Sequence, residues 1–224
     1  MPGMLHVHVL RSPHAHARIV SIDTSAAERI DGVEAVITSV DVPGQDGFGV
    51  FVNDQPIMAR GKVRYVGEPV AAVAAEDVLT AKRALAAIKV VYAPLPEVFD
   101  PDEAMRPGAP VVHDYAPDNI TKHIPIRVGD VAQGFAQSDL VVEEDYSTQA
   151  IEHAYLEPEA GLAYVDHDGV VVIVSPDQNV THHRHMLARI IAKPISKVRF
   201  IMSPVGGGFG GKEDMIYQGM LALL

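Results

Sequence analysis

Cysteine is absent from this 224-residue sequence. Without thiols the chain can form no disulfide, thiolate nucleophile, zinc–thiolate site or cysteine-held iron–sulfur cluster of its own. Any electron-carrying cluster must therefore sit in a partner. Positive charge is scarce as well: 18 Lys and Arg stand against 29 Asp and Glu, a net charge of −11. This argues against a nucleic-acid binder, whose affinity for phosphate rests on clustered Lys and Arg. Long apolar runs are missing, and no uncharged stretch approaches the roughly 18 residues of a membrane span. The opening Met1-Pro2-Gly3-Met4-Leu5-His6 lacks the basic region and apolar core of a secretory leader. The expectation is a soluble, cytoplasmic protein without membrane contact.

What is present suffices for a core. Hydrophobic residues make up 48% and charged residues 21%, which is no composition for disorder. The first half reads as alternating strands and helices: strands at Met4–Leu10, Ala17–Ile22 and Val33–Thr38, and a short helix opening at Thr24-Ser25. An apolar strand Val70–Ala75 follows, then a helix capped by Asp77 and running to Ala87, then a strand Ile88–Tyr92. Residues 1–92 thus form a mixed α/β domain. Prolines at 94, 96, 101, 107, 110, 117 and 125 mark residues 93–125 as a connecting segment without regular elements.

The second half, 126–224, resumes with a short strand Ile126–Val128 and an alternating strand Leu140–Thr148. Leu162–Val165 and Val170–Ser175 flank Asp166-His167-Asp168-Gly169, a hairpin signal. A helix from about Val180 to Ile191, a strand Val198–Met202 and an apolar helix Ile216–Leu224 complete the pattern. That last helix is apolar all round and carries no terminal cap, as a helix in the middle of a core would. The expectation is a chain truncated on its C-terminal side, one piece of a larger or split protein.

Between the last strand and helix lies Gly206-Gly207-Gly208-Phe209-Gly210-Gly211-Lys212-Glu213. Gly206, Gly208 and Gly211 satisfy G-x-G-x-x-G, but no acidic residue follows at the dinucleotide-site distance. G-x-x-x-x-G-K is also satisfied, yet Glu213 replaces the magnesium-binding Ser or Thr of a P-loop. A general reading remains: small residues let backbone N–H groups at a helix start approach an anionic or oxo group. Phe209 adds one apolar wall, and Glu213 on the first helical turn can orient a polar heterocycle or exchange a proton.

The run from Val205 to Glu213 resembles the glycine motif of the molybdenum hydroxylases, the xanthine dehydrogenase and aldehyde oxidase family. Three further stretches are similar to that family's molybdenum subunit: 10–19 (Leu-Arg-Ser-Pro-His-Ala-His-Ala-Arg-Ile), 61–71 (Gly-Lys-Val-Arg-Tyr-Val-Gly-Glu-Pro-Val-Ala) and 152–158 (Glu-His-Ala-Tyr-Leu-Glu-Pro). The resemblance implies an α+β chain, an α/β-hammerhead-like domain followed by the N-terminal portion of a mixed α/β molybdopterin-binding domain. Gln178 resembles the glutamine that hydrogen-bonds an oxygen ligand of molybdenum. Gly207, Gly208, Phe209 and Gly210 resemble the cofactor-binding loop, with no residue ligating the metal directly. Glu213 resembles the glutamate that polarises a purine-like substrate, which favours an N-heterocycle over an aldehyde. The implied cofactor is molybdopterin, plain or as its cytosine dinucleotide, with iron–sulfur clusters and FAD held by partner subunits. The family's catalytic base and substrate-binding arginine have no matching position, so the resemblance implies a companion chain carrying the rest of the molybdenum domain, without which this one is inactive. Rival readings are a non-catalytic truncated assembly or binding fragment of the same family, an aldehyde-oxidising member, and, more remotely, a nucleotide-binding α/β domain.

Other clusters carry blander readings. His6 and His8 share a strand face, and His182, His183 and His185 crowd one helix start, but neither set has zinc spacing. All five read as exposed or locally hydrogen-bonded. His14 and His16 read as positional, and His153 as packed near the core of the second domain. Glu143, Glu144 and Asp145 read as a solvated strand edge, Lys212 as snorkelling or ion-paired, and Met215 and Met220 as core.

Overall fold

The computed structural model describes residues 2–224. Strands β1 (His6–Arg11) and β2 (Ala17–Asp23) lead to a one-turn helix α1 (Ser25–Glu28) and to β3 (Val33–Thr38). A long loop reaches β4 (Lys62–Val63), followed by β5 (Pro69–Ala75), α2 (Val78–Ala87) and β6 (Lys89–Pro94). Every residue of β5 is buried, and it is the centre of an antiparallel sheet ordered β1-β5-β3. Its small side chains serve two faces alternately. Ala71 and Val73 meet Ala27, Ala84 and Ile88 on the α2 side, while Ala72 faces a different cluster. A second sheet, β4-β2-β6, packs its Ala17 and Val63 against Val70 of β5 and Ala59. Asp77 caps α2 as expected, accepting from the backbone N–H groups of Leu79 and Thr80 at 2.8 and 2.9 Å.

The proline-rich segment is irregular except for one turn of helix, α3 (Pro101–Ala104), which corrects the expectation of no regular element. Pro101 occupies the first helical turn, where a missing N–H costs nothing, and Asp100 caps it through Glu103 N–H at 2.9 Å. The segment is tied down from the first unit: Lys62 Nζ donates to Val111 O at 3.1 Å and to Asp114 at 2.9 Å, and Tyr115 donates to Asp54 at 2.6 Å.

Two expected strands are not formed. Residues 126–128 and 140–148 carry no strand, and Ile126, Val128, Leu140 and Tyr146 are exposed. A strand exists only with a hydrogen-bonding neighbour, and no described strand lies alongside to pair with this alternating pattern. Glu143, Glu144 and Asp145 are consequently all exposed rather than divided between two faces. A seven-residue helix, α4 (Val131–Gln137), capped by Asp130, stands between the two stretches instead.

Regular packing returns at β7 (Leu162–Val165) and β8 (Val171–Ser175), which form the expected antiparallel hairpin. Helix α5 (Val180–Ile190) carries the chain to β9 (Val198–Met202), which pairs parallel with β8. Helix α6 (Gln218–Leu223) closes the order, two residues later in its start than the apolar pattern suggested. The largest core joins both halves of the chain: Ile37, Phe48, Ile57 and Met58 pack with Ile173, Met186, Leu187, Ile190, Met215 and Met220. The loop before β4 also serves α5 directly, since Gly44 and Gln45 N–H groups donate to the Ile190 and Arg189 carbonyls at the helix end. Helix α5 is therefore anchored at its C-terminus by the first half, and its N-terminus faces the glycine loop. No helix among the described residues is long and apolar enough to cross a membrane.

Candidate functional site

The glycine loop does not lead directly into a helix. Residues 209–213 form consecutive turns closed by Gly211 N–H to Gly208 O at 2.8 Å and Glu213 N–H to Gly210 O at 3.0 Å, and α6 starts only at Gln218. Glu213 therefore stands in a turn, which corrects its expected place on the first turn of a helix. The loop N–H groups do not point outward as a free cradle. Gly210 N and Lys212 N both donate to Gln178 Oε1 at 3.1 Å, and Gln178 N–H donates back to Lys212 O at 2.9 Å.

Gln178 follows β8 and precedes the α5 cap, Asn179, which accepts from His182 N–H. Two backbone donors on its amide oxygen assign the orientation of the amide: Oε1 toward the loop, Nε2 as the donor end. Gly208 is required by this contact, because a Cβ there would lie 2.4 Å from Gln178 Oε1 and 2.8 Å from its Cδ. Gly207 and Gly210 adopt φ of +100° and +93°, conformations that suit glycine. Phe209 shares the left-handed region at φ +53° with 76% of its surface exposed, an uncommon state for a bulky residue. Its ring lies back toward Gly207, within 3.5 Å of where a Cβ would stand.

The outer side of the loop is clamped by 155–159. Lys212 is buried, its Nζ 2.6 Å from Glu157 Oε2 and 4.8 Å from the centre of the Tyr155 ring. Glu157 Oε2 also accepts from Gly206 N–H at 2.8 Å, and together Lys212 and Gly206 hold this carboxyl below the usual glutamate range. Tyr155 donates to Glu159 at 2.6 Å, and that charged acceptor with partial burial pushes the phenol up to about 12. A Cβ at Gly211 would strike the Tyr155 ring at 2.7 Å. Ion pairing of Lys212 agrees with one of its two expected readings. His153 does not pack in a core; it is half-exposed beside Glu152.

Beneath the loop lies a buried polar group that sequence reasoning missed. Asp177 and His183 are both fully buried, with His183 Nδ1 2.5 Å from Asp177 Oδ1. Ser175 Oγ and Gln218 Nε2 donate to the other Asp177 oxygen at 2.9 and 3.2 Å. The opposite ring nitrogen, Nε2, contacts the Glu213 carbonyl. His183 is thus no exposed histidine. The signal was available: His183, Met186, Leu187 and Ile190 follow the i, i+3, i+4, i+7 spacing of one helix face, and all four are buried.

Of the residues expected to form a site, Gln178, Gly208 and Gly210 are thus in direct contact, Gly207 and Phe209 continue the same loop, and Glu213 is fixed through its backbone by His183.

Residues 112–224 match the molybdopterin cofactor-binding domain model, and residues 1–96 match the a/b hammerhead domain model of aldehyde oxidase and xanthine dehydrogenase. The chain belongs to the molybdenum hydroxylase family. Over 223 residues it is 43% identical to a probable xanthine dehydrogenase subunit of Bacillus subtilis, covering all of this chain and 30% of that one. It is 41% identical to the nicotinate dehydrogenase large molybdopterin subunit of Eubacterium barkeri, covering 52% of that protein. Aldehyde oxidoreductase from Desulfovibrio gigas superposes on the entire chain with a TM-score of 0.89 at 30% identity, over 26% of its own length. This member of the family therefore spans between about a quarter and a half of the length of these three relatives.

Proposed function

We propose that this chain forms one wall of the molybdopterin site of a hydroxylase that oxidises a purine or another N-heterocycle with water-derived oxygen. In this reading residues 1–92 are the hammerhead-like unit, 93–125 the connector, and 126–224 the cofactor-binding unit. Partner chains supply the rest of the molybdenum domain, the catalytic base, and the iron–sulfur clusters and flavin through which electrons leave. When bound, the molybdenum cofactor, plain or as its cytosine dinucleotide, supplies the two-electron oxidation.

The observation that carries the proposal is the Gln178 amide. With Oε1 committed to Gly210 and Lys212 N–H, the remaining Nε2 is a donor whose direction is fixed before any ligand arrives. A pre-aimed donor suits an oxygen on the cofactor's metal, because no reorganisation is needed on binding. Gly207 and Gly210 carry no side chain to obstruct the close approach of a large polar cofactor, Gly208 makes room for the Gln178 amide, and Phe209 offers an exposed apolar face beside it. Glu213 keeps its side chain for substrate, since its N–H and carbonyl are taken by Gly210 and His183. A carboxylate there can accept a ring N–H and hold a heterocycle in register. The name of the Eubacterium relative, a nicotinate dehydrogenase, supports that substrate class.

The test is the complex that this chain forms in its host. Gln178→Ala is expected to lower turnover by about a hundredfold, while molybdenum content stays within about twofold of wild type. Equal loss of both would make Gln178 a folding residue and overturn the assignment. Glu213→Gln is expected to slow heterocycle turnover and to spare aldehyde turnover. The reverse selectivity would place the protein among the aldehyde oxidisers.

A further inference from the structure

We propose that His183 is a positioning residue: a buried imidazolium that links Asp177, the neighbour of Gln178, to the backbone of Glu213, and so sets the spacing between the two ends of the candidate site. The geometry points to the charged ring. Nδ1 faces the Asp177 carboxylate and Nε2 faces the Glu213 carbonyl, and both partners are acceptors. Neutral imidazole offers one N–H and one lone pair, so it would turn a lone pair against one of the two. Nδ1 and Asp177 Oδ1 lie off the line of a straight hydrogen bond, and each has no other partner among the described residues. Their pairing is one of charge with charge, and a ring with a single N–H could serve one of its two acceptors but not both.

The groups around the ring come from four elements. Asp177 follows β8, and Asp214 adds a second negative charge from the turn after the glycine loop. Helix α6 contributes the neutral amide of Gln218, through Asp177, and β9 contributes the Phe200 ring, tilted against the imidazole with centres 6.2 Å apart. Burial alone would drive the proton off; Asp177, the Glu213 carbonyl and Asp214 outweigh it and hold the pKa above the ordinary imidazole value.

The consequence is mechanical. Asp177 is held by Ser175, Gln218 and His183, which fixes the backbone from which Gln178 reaches the loop. The same ring grips residue 213, where the loop ends. Loss of a proton would turn a ring lone pair against either the Asp177 carboxylate or the Glu213 carbonyl and release that end of the brace. The inference builds on the functional reading above only in naming what is positioned.

Hydrogen exchange of the full chain, in the complex with which it purifies, tests it without turnover. In His183→Gln the amides of residues 206–213 are expected to lose protection by about tenfold or more, while those of β5 keep wild-type protection. Unchanged loop protection in a folded His183→Gln overturns the proposal. If the variant loses β5 protection too, the wild-type chain decides. After correction for the intrinsic exchange rate, opening of 206–213 must become easier between about pH 6 and about pH 9, as the imidazolium deprotonates. Opening that is flat across this range overturns the proposal. A complex that holds no molybdenum yet shows the pH-linked opening keeps this inference and sinks the functional reading.

Discussion

Gly208→Ala isolates the contact on which the site depends. The added Cβ would stand 2.4 Å from Gln178 Oε1 and 2.8 Å from its Cδ, so either the amide or the loop must move. Gly208 is not among the left-handed glycines, so the substitution adds no backbone strain of its own. The loss comes from the contact alone. If the amide is expelled, the Gly210 and Lys212 N–H groups lose their acceptor. At about 1 kcal/mol for each hydrogen bond, the expected destabilisation is about 2 kcal/mol. Unfolding in urea, followed by far-UV circular dichroism because the chain has no tryptophan, measures the change. Gly134→Ala is the control: it lies in α4 with nothing within 4 Å of the new Cβ, and should gain about 0.5–1 kcal/mol from helix propensity. A Gly208→Ala chain within about 0.5 kcal/mol of wild type would refute the argument that the Gln178 amide is wedged into the loop.

Three other outcomes are expected. Asp77→Ala should cost about 1 kcal/mol in the same urea assay, since two α2 N–H groups lose their cap; no change would mean that water replaces it fully. The Glu157 carboxyl is held below its ordinary range by Lys212, so its contribution to stability is present above the unfolded glutamate pKa and is lost as pH falls through the lowered folded value. In Lys212→Met the acid limb of the stability profile should therefore flatten, and an unaltered limb would show the pair to be energetically idle. Asn119→Ala should loosen the connector: this residue sits at φ +57° and its side chain ties Ala104 O, Pro110 O and Val112 N–H, so proteolysis between 104 and 119 should accelerate at fixed global stability.

The contrast between what could be read from the chain and what could not has a physical pattern. Local signals held where the interaction itself is local. Asp77 caps α2 because a carboxylate reaches the N–H groups two and three residues ahead, and the Asp166–Gly169 turn joins β7 to β8 for the same kind of reason. The alternation over 140–148 failed because a strand is defined by a neighbour, and periodicity does not say whether one is present. Gln178 and Glu213 stand out through resemblance, whereas the buried Asp177–His183 pair does not, because a cluster of histidines at 182, 183 and 185 invites a metal reading that hides the place of His183 on a helix face.

By itself the sequence determined the inventory: a cysteine-free acidic chain, a proline-rich middle segment, a loop with five glycines in six positions, and a family resemblance over nearly the whole length. The directions of the polar groups were decided by tertiary structure alone. The loop amides could have faced solvent or a ligand, and they face Gln178 because residues 178 and 210–212, more than 30 positions apart, are packed together. His183 could have been one more solvated imidazole; it is buried because Asp177, Glu213 and Phe200 converge on α5 from separate elements. Hydrogen-bond direction and burial are properties of neighbours in space, and the order of residues along a chain does not contain them until it has folded.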